Sequence, residues 1–178
     1  MNQYFLTLVT MFVLVGCRRQ APSVDIWKAA ATGNLLAIQQ HLAYGTDVNA
    51  VEPILGGTPL IAAALTGQTE IAGILIAHGA RLDTRNSDGA TALMVAAFFG
   101  HPDTVKLLLE KGANANLANN RSHTPLDAVT VKWSPELEAY YQAIARPLQL
   151  QLDFDRIQAA RPQIADLLQQ HGGKPGHP

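Results

Sequence analysis

The sequence predicts an all-α solenoid of four stacked helix-turn-helix units, the last interrupted by an insertion. Three observations carry this. The tripeptides Thr58-Pro59-Leu60, Thr91-Ala92-Leu93 and Thr124-Pro125-Leu126 recur in phase at intervals of 33 residues. Each opens an Ala-containing stretch (Ala62-Ala63-Ala64, Ala96-Ala97, Ala128), and in the first two copies a Gly follows seven residues after the Leu, at Gly67 and Gly100. A second apolar run then ends at another Gly twelve residues on, Gly79 and Gly112. A fixed period between 20 and 50 residues marks a repeat array, because one such unit cannot bury its apolar face without neighbours.

The first unit, about 24–56, is a degenerate copy. Ile26 stands 34 residues before Leu60, with Ala29-Ala30-Ala31 and Gly33 in step. Its second helix carries Leu35, Leu36, Ile38 and Leu42 and ends at Gly45. The extra residue falls in the loop Val51 to Gly57. In the second unit, about 57–89, the first helix runs from Leu60 to Thr66 and Gly67 breaks it. The second runs from about Thr69 to Ala77, with Ile71, Ile74 and Leu75 at helical spacing on one face. Gly79 fits a left-handed cap, where a side chain would clash. The third unit, about 90–122, repeats this with Val105, Leu107, Leu108 and Leu109 before Gly112.

The fourth unit, about 123–174, opens at Thr124, but its second helix is recognisable only at Ile164 to Leu168, before Gly172. Gly112 to Gly172 is 60 residues against a period of 33, which leaves 27 extra, placed at about 134–160. Within them, Ser134-Pro135-Glu136 is a helix start: Ser as N-cap, Pro first, an acid in the first turn. That helix extends to about Ala145 and carries Leu137, Tyr140, Tyr141 and Ile144, and Pro147 stops it. Leu148, Leu150, Leu152 and Phe154 then alternate with polar residues, a strand-like or extended pattern. The insert is expected to cap the open C-terminal end of the array, to contact a partner, or both.

These features resemble the ankyrin repeat family over about Val24 to Lys174, outside the insert. The resemblance rests on Thr-Pro-Leu, the paired Ala residues, Gly100-His101, His78-Gly79-Ala80, Lys111-Gly112-Ala113-Asn114 and Asp47-Val48-Asn49-Ala50. The chain departs from the family after Thr-Pro-Leu, where His is usual. Ile61, Met94 and Asp127 stand there, with Trp27 in the first unit, so apolar packing at Ile61 and Met94 replaces the bonds a His would make. The resemblance implies a monomeric protein-binding scaffold without cofactor or catalytic residues. Partners of the family meet the loop tips and the exposed ends of the first helices, which line a concave groove. Mapped here, that surface is Ile54, Leu55, Leu65, Thr66, Arg85, Ser87, Asp88, Phe98, Phe99, Asn120, Arg121 and His123. Large apolar residues at such places mark interaction sites. The competing reading is packing: adjacent helical residues point apart, so one of Phe98 and Phe99 lies between repeats, and Ile54 rests on Leu55 or the first loop.

Residues 1–16 lie outside the array. Tyr4 to Val15 is an apolar run of 12, broken only by Thr7 and Thr10. It is shorter than the ~20 residues a bilayer span needs and has the length of a secretion signal. It ends in Leu14-Val15-Gly16-Cys17, which resembles the lipobox of bacterial lipoproteins. That resemblance implies cleavage after Gly16, acylation of Cys17 and a lipid bilayer as partner. Arg18, where Asp favours inner-membrane retention, points to the outer membrane, with the array facing the periplasm. Residues 17–23 form a short tether, since the six from Arg18 to Ser23 reach ~20 Å at most. Met1-Asn2-Gln3 lacks Lys and Arg, which keeps an ordinary signal or an uncleaved anchor as the competing reading.

Little else in the chain advertises chemistry. The 13 Lys and Arg balance 14 Asp and Glu, all after Gly16, so no basic face for nucleic acid is expected. Cys17 is the only Cys, which excludes an internal disulfide. No two of the six His have the i, i+4 spacing of a helical metal site, so no metal is expected. His41, His78 and His171 fall near the ends of second helices, where the helix dipole favours cations. No nucleophile elbow or phosphate loop is present, and Asp153 and Asp155 read as a solvated face. The expected function is a membrane-tethered protein-binding module of the bacterial cell envelope. The alternative is an immunity or inhibitor protein that neutralises a secreted toxin or hydrolase.

Overall fold

Each unit starts where a short polar side chain caps its first helix. Thr58, Thr91 and Thr124 accept through Oγ1 from the N–H of Ile61, Met94 and Asp127 at 3.4, 3.3 and 3.4 Å, and Asp25 accepts from Lys28 N at 2.7 Å. Pro59 and Pro125 fill a first-turn position that needs no donor. The computed structural model describes residues 22–176, and the described residues are all-helical. The inner helices are α1 (Ile26–Ala31), α3 (Pro59–Thr66), α5 (Ala92–Phe98) and α7 (Pro125–Thr130). The outer helices are α2 (Leu35–Tyr44), α4 (Thr69–Ala77), α6 (Pro102–Glu110) and, in the fourth unit, α9 (Phe154–Gln170); α8 (Pro135–Ala145) belongs to the insert.

The stacking follows from residue size. Ala29, Ala30, Ala63, Ala64, Ala96 and Ala97 are completely buried, and their small side chains let successive inner helices approach closely. Between the helix layers, Ile38, Leu75, Leu93, Val105, Leu108, Ile164 and Leu168 are equally buried. Ile61 and Met94 are buried too, so the apolar replacements pack as expected. The other two departures find polar partners. Trp27 Nε1 donates to Ala50 O at 3.0 Å, and Asp127 accepts from Thr124 N and Gly176 N, both at 2.8 Å. Burial acts to raise the Asp127 pKa, but these hydrogen bonds outweigh it and hold the carboxyl below its ordinary value.

A second device ties the units along their loop bases. Asn49 donates Nδ2 to Gly79 O at 3.0 Å and accepts from Arg81 N at 2.8 Å. Asp83 accepts from Asn114 N at 3.0 Å, and Asn116 bridges Gly172 O and Lys174 N at 3.0 and 2.8 Å. The last rung establishes Gly172 as the counterpart of Gly79 and Gly112. His78 and His171 donate Nδ1–H to Ile74 O and Leu167 O at 2.9 Å, and so satisfy carbonyls at helix ends. His41 differs: it is buried, and its Nε2 donates to Val24 O at 2.7 Å, which pins the start of the domain to the end of α2.

Two features of the insert depart from the sequence reading. Helix α8 has the expected bounds, with Ser134 as N-cap. The segment after it is irregular and contains no strand. It turns at Gln149, whose φ is 52°, and Leu150 N donates to Ala145 O at 3.0 Å. The alternation of Leu148, Leu150 and Leu152 reports one-sided burial with no neighbouring strand to pair with. The last outer helix begins at Phe154, ten residues before Ile164, because Asp153 caps it by accepting from Arg156 N at 3.0 Å. Pro162 lies inside that helix on its exposed side. No helix among the described residues is long and apolar enough to cross a membrane. The predicted signal at 1–16 and Cys17 lie outside the described residues.

Candidate functional site

Three loops project from the array, and one side chain organises each. Glu52 accepts from Ile54 N and Leu55 N at 3.0 and 2.6 Å. Asn86 accepts from Asp88 N and Ala90 N at 3.1 and 2.8 Å, and Asn119 from Arg121 N and His123 N at 2.9 and 3.0 Å. The loops are joined to each other. Ser87 N donates to Leu55 O at 3.1 Å, Asn120 N to Asp88 O at 3.0 Å, and Asn120 Nδ2 to Ser87 O at 2.9 Å. Gly56 and Gly89 adopt φ of 66° and 76°, and a methyl on either would strike the next loop. Ser122 holds the same left-handed conformation at φ 64° in the last loop.

Of the twelve residues assigned to a partner surface, eight are exposed on this row. Ile54 is 83% exposed and Leu55 50%, with Val51 at 57% beside them. Ser87, Asp88, Asn120, Arg121 and His123 are also exposed. Arg85 is exposed, but its guanidinium is committed: Nε donates to Gly89 O at 2.9 Å and Nη2 to Ala118 O. It braces the second and third loops and is not free for a partner.

The four assigned residues on the inner helices are corrected by the structure. Phe99 is only 4% exposed, and Phe98, Leu65 and Thr66 are half-buried. Thr66 Oγ1 donates to Ala31 O at 2.7 Å, a bond between units. Phe98, Phe99 and Leu65 pack against the insert instead of lining an open groove. The Tyr141 ring stacks on Phe98 at 4.1 Å between centroids and meets Phe99 edge-on at 6.0 Å. Trp133 and Phe154 close the cluster at 5.6 and 6.1 Å from Tyr141. Tyr141 is fully buried, and its hydroxyl donates to Phe98 O at 2.6 Å. Burial pushes this phenol up, against a smaller opposing pull from Arg161. Arg161 is itself buried, lies over the Trp133 ring and donates to Val131 O. At the outer edge, Arg121 donates to Tyr140 Oη at 2.9 Å and stacks on its ring.

The turns between paired helices show why the insert seats here. A methyl at Gly33 would lie 2.5 Å from Gln68 Oε1, and one at Gly67 would lie 2.9 Å from His101 Cγ. Each Gly thus makes room for the residue that follows the Gly of the next unit. His101 uses the space to donate Nε2–H to Leu65 O at 3.0 Å. Burial holds its pKa below the ordinary imidazole value, against the opposing effect of that hydrogen bond, and Arg156 adds to the lowering. At Gly100 the occupant is Ile157 of α9, whose Cα would be 2.9 Å from an added methyl. Arg156 seals the step, donating to Gly100 O at 2.6 Å and Phe99 O at 3.1 Å. Sequence reasoning missed Glu52, Asn86 and Asn119 as loop organisers. Their 34- and 33-residue spacing was the available signal.

Among the described residues, no three His, Cys, Asp or Glu side chains are grouped so as to hold a metal. Residues 26–119, just over half of the chain, match the family of ankyrin repeats in three copies. The 2-5A-dependent ribonuclease of Mus musculus is 41% identical over 64 residues, which cover 36% of this chain and 9% of that protein. The chain therefore spans a small part of that relative, and the likeness is confined to that stretch.

Proposed function

Because the chain belongs to the ankyrin repeat family, an interaction scaffold, we propose that it is a membrane-tethered protein-binding module of the bacterial cell envelope. The observation that carries this reading is the row of loop tips. It is continuous and cross-bonded, with apolar Ile54 and Leu55 at one end and polar Arg121 and His123 at the other. A surface fixed before binding loses little freedom on binding, and a few apolar anchors dominate most interfaces. Ile54 and Leu55 are the anchors, and Ser87, Asp88, Asn120 and His123 form the polar rim. The tether is Cys17, acylated after cleavage of residues 1–16, with the outer membrane favoured by Arg18.

The same rigid row would serve the second reading, an immunity or inhibitor protein that blocks a secreted toxin or hydrolase. Crosslinking and affinity capture from the native envelope test the binding surface. Ile54→Asp with Leu55→Asp is expected to lose the captured partner while the thermal melt stays unchanged. Equal capture by the variant would place the partner elsewhere. Mass spectrometry of membrane-extracted protein tests the tether. An acylated N-terminal Cys17 is expected, and an intact Met1 on soluble protein would overturn it.

A further inference from the structure

The insert does more than cover the last repeat: α8 lies where the inner-helix groove would receive a partner. It meets the floor through Leu137, Tyr140, Tyr141 and Ile144, spaced i, i+3, i+4, i+7 on one helical stripe. The floor is Leu65, Val95, Phe98 and Phe99, from two different units. We infer that this floor is a helix-binding site, that α8 is its resident and releasable occupant, and that the partner it fits is an amphipathic helix with a Tyr-Tyr pair flanked by apolar residues.

The two helices of this region are held unequally. Only Tyr141 and Ala145 of the eleven α8 residues are buried. Its hydrogen bonds to the array and to α9 all run through two phenol oxygens, those of Tyr140 and Tyr141. No backbone group of α8 is among them. Helix α9 is held differently, by Arg156 on two backbone carbonyls and by buried Ile157, Ile164 and Leu168. Irregular segments flank α8 on both sides, at 131–134 and 146–153. Arg161 holds Val131 O from α9, whereas Trp133 donates Nε1–H to Glu138 Oε1 at 2.6 Å and packs on Tyr141, so Trp133 moves with α8. The helix can leave as a unit while the fourth repeat stays closed. An amphipathic helix laid in a groove is a recurrent mode of recognition, and here the chain supplies its own.

This deepens the binding-module reading and rests on it, but its test needs no native partner. The full chain carrying Leu137→Asp and Ile144→Asp places two charges against the apolar floor and frees α8. A fluorescein-labelled peptide of residues 133–147 is then titrated into the native chain and the variant. The variant is expected to bind at least ten-fold more tightly. A control peptide with both Tyr residues replaced by Ala should bind neither. A variant that keeps native helicity yet binds no better than the native chain overturns the inference. Should the variant fail to fold, hydrogen exchange on the native chain decides. Amides of α8 are expected to open at least ten-fold more readily than those of α5 and α9, and exchange at the α5 rate overturns release. Unchanged partner capture by the loop-tip variant with peptide binding intact would fail the earlier reading and leave this one standing.

Discussion

Three glycines with left-handed backbones separate two costs that are usually confounded. Gly79 has φ 90° and nothing within 4 Å of an added methyl; Gly67 has φ 72° with the His101 ring in the way; Gly100 has φ 70° against the Ile157 backbone. Replacement by Ala at Gly79 carries only the left-handed penalty of ~1–2 kcal/mol, partly offset by a stiffer unfolded chain, for a net ~1 kcal/mol. At Gly67 the imidazole must also swing out and give up its bond to Leu65 O, which adds ~1 kcal/mol. At Gly100 the obstacle is main chain, so α9 must shift and strain of ~1–3 kcal/mol is added. The predicted order of destabilisation is Gly79→Ala, then Gly67→Ala, then Gly100→Ala, at roughly 1, 2 and 2–4 kcal/mol. Urea denaturation followed by far-UV circular dichroism measures it, with constant m-values as the check that the states compared are the same. His101→Ala should bring Gly67→Ala closer to Gly79→Ala, since the two groups compete for one space. Equal losses at all three sites would refute the stacking argument.

Further outcomes follow from the same contacts. Leu75→Ala and Leu108→Ala, fully buried at equivalent positions, should each lose ~2–5 kcal/mol in urea titrations. Phe99→Ala should lose ~3 kcal/mol, at the low end for a buried ring because part of its contact is with the insert, whereas Ile54→Ala should stay within ~0.5 kcal/mol. Ser122→Gly should stabilise the fold by ~0.5–1 kcal/mol in the same assay, by relieving a left-handed conformation that Gly56 and Gly89 adopt without strain. His101 has a lowered folded-state pKa, so the unfolded chain binds its proton first and stability should fall as pH drops through about 6.5 towards the folded value. His101→Gln, the residue that Gln68 already places over Gly33, should remove that part of the difference between urea midpoints at about pH 7.5 and 5.5.

The repeat register was legible because its signals are local. A Thr must cap, a Pro must follow, and a Gly must take the left-handed turn, whatever surrounds them. The bounds of α8 were legible for the same reason, from Ser134 and Pro135. Where α8 goes was not, since a stripe of Leu137, Tyr140, Tyr141 and Ile144 demands an apolar surface without naming it. From sequence, Phe98 and Phe99 are therefore candidates for the open surface, with packing of one of them between repeats as the alternative, whereas the insert covers them both. The period-two run after Pro147 misled because burial on one side has the same pattern in an irregular segment as in a strand. Helix α9 was read too short, since Arg156 and Ile157 declare their role only beside Gly100.

The join at Gly100 also tells a protein engineer where such an array accepts a passenger. The insertion enters at the turn between paired helices, opposite the projecting loops, so the pitch of the stack survives it. The joint is closed by one residue that fills the glycine recess and one cation that reaches the two carbonyls behind it. The equivalent recesses at Gly33 and Gly67 offer the same graft point. A guest segment spliced there, ending in an Arg-Ile pair, should leave the remaining units in register.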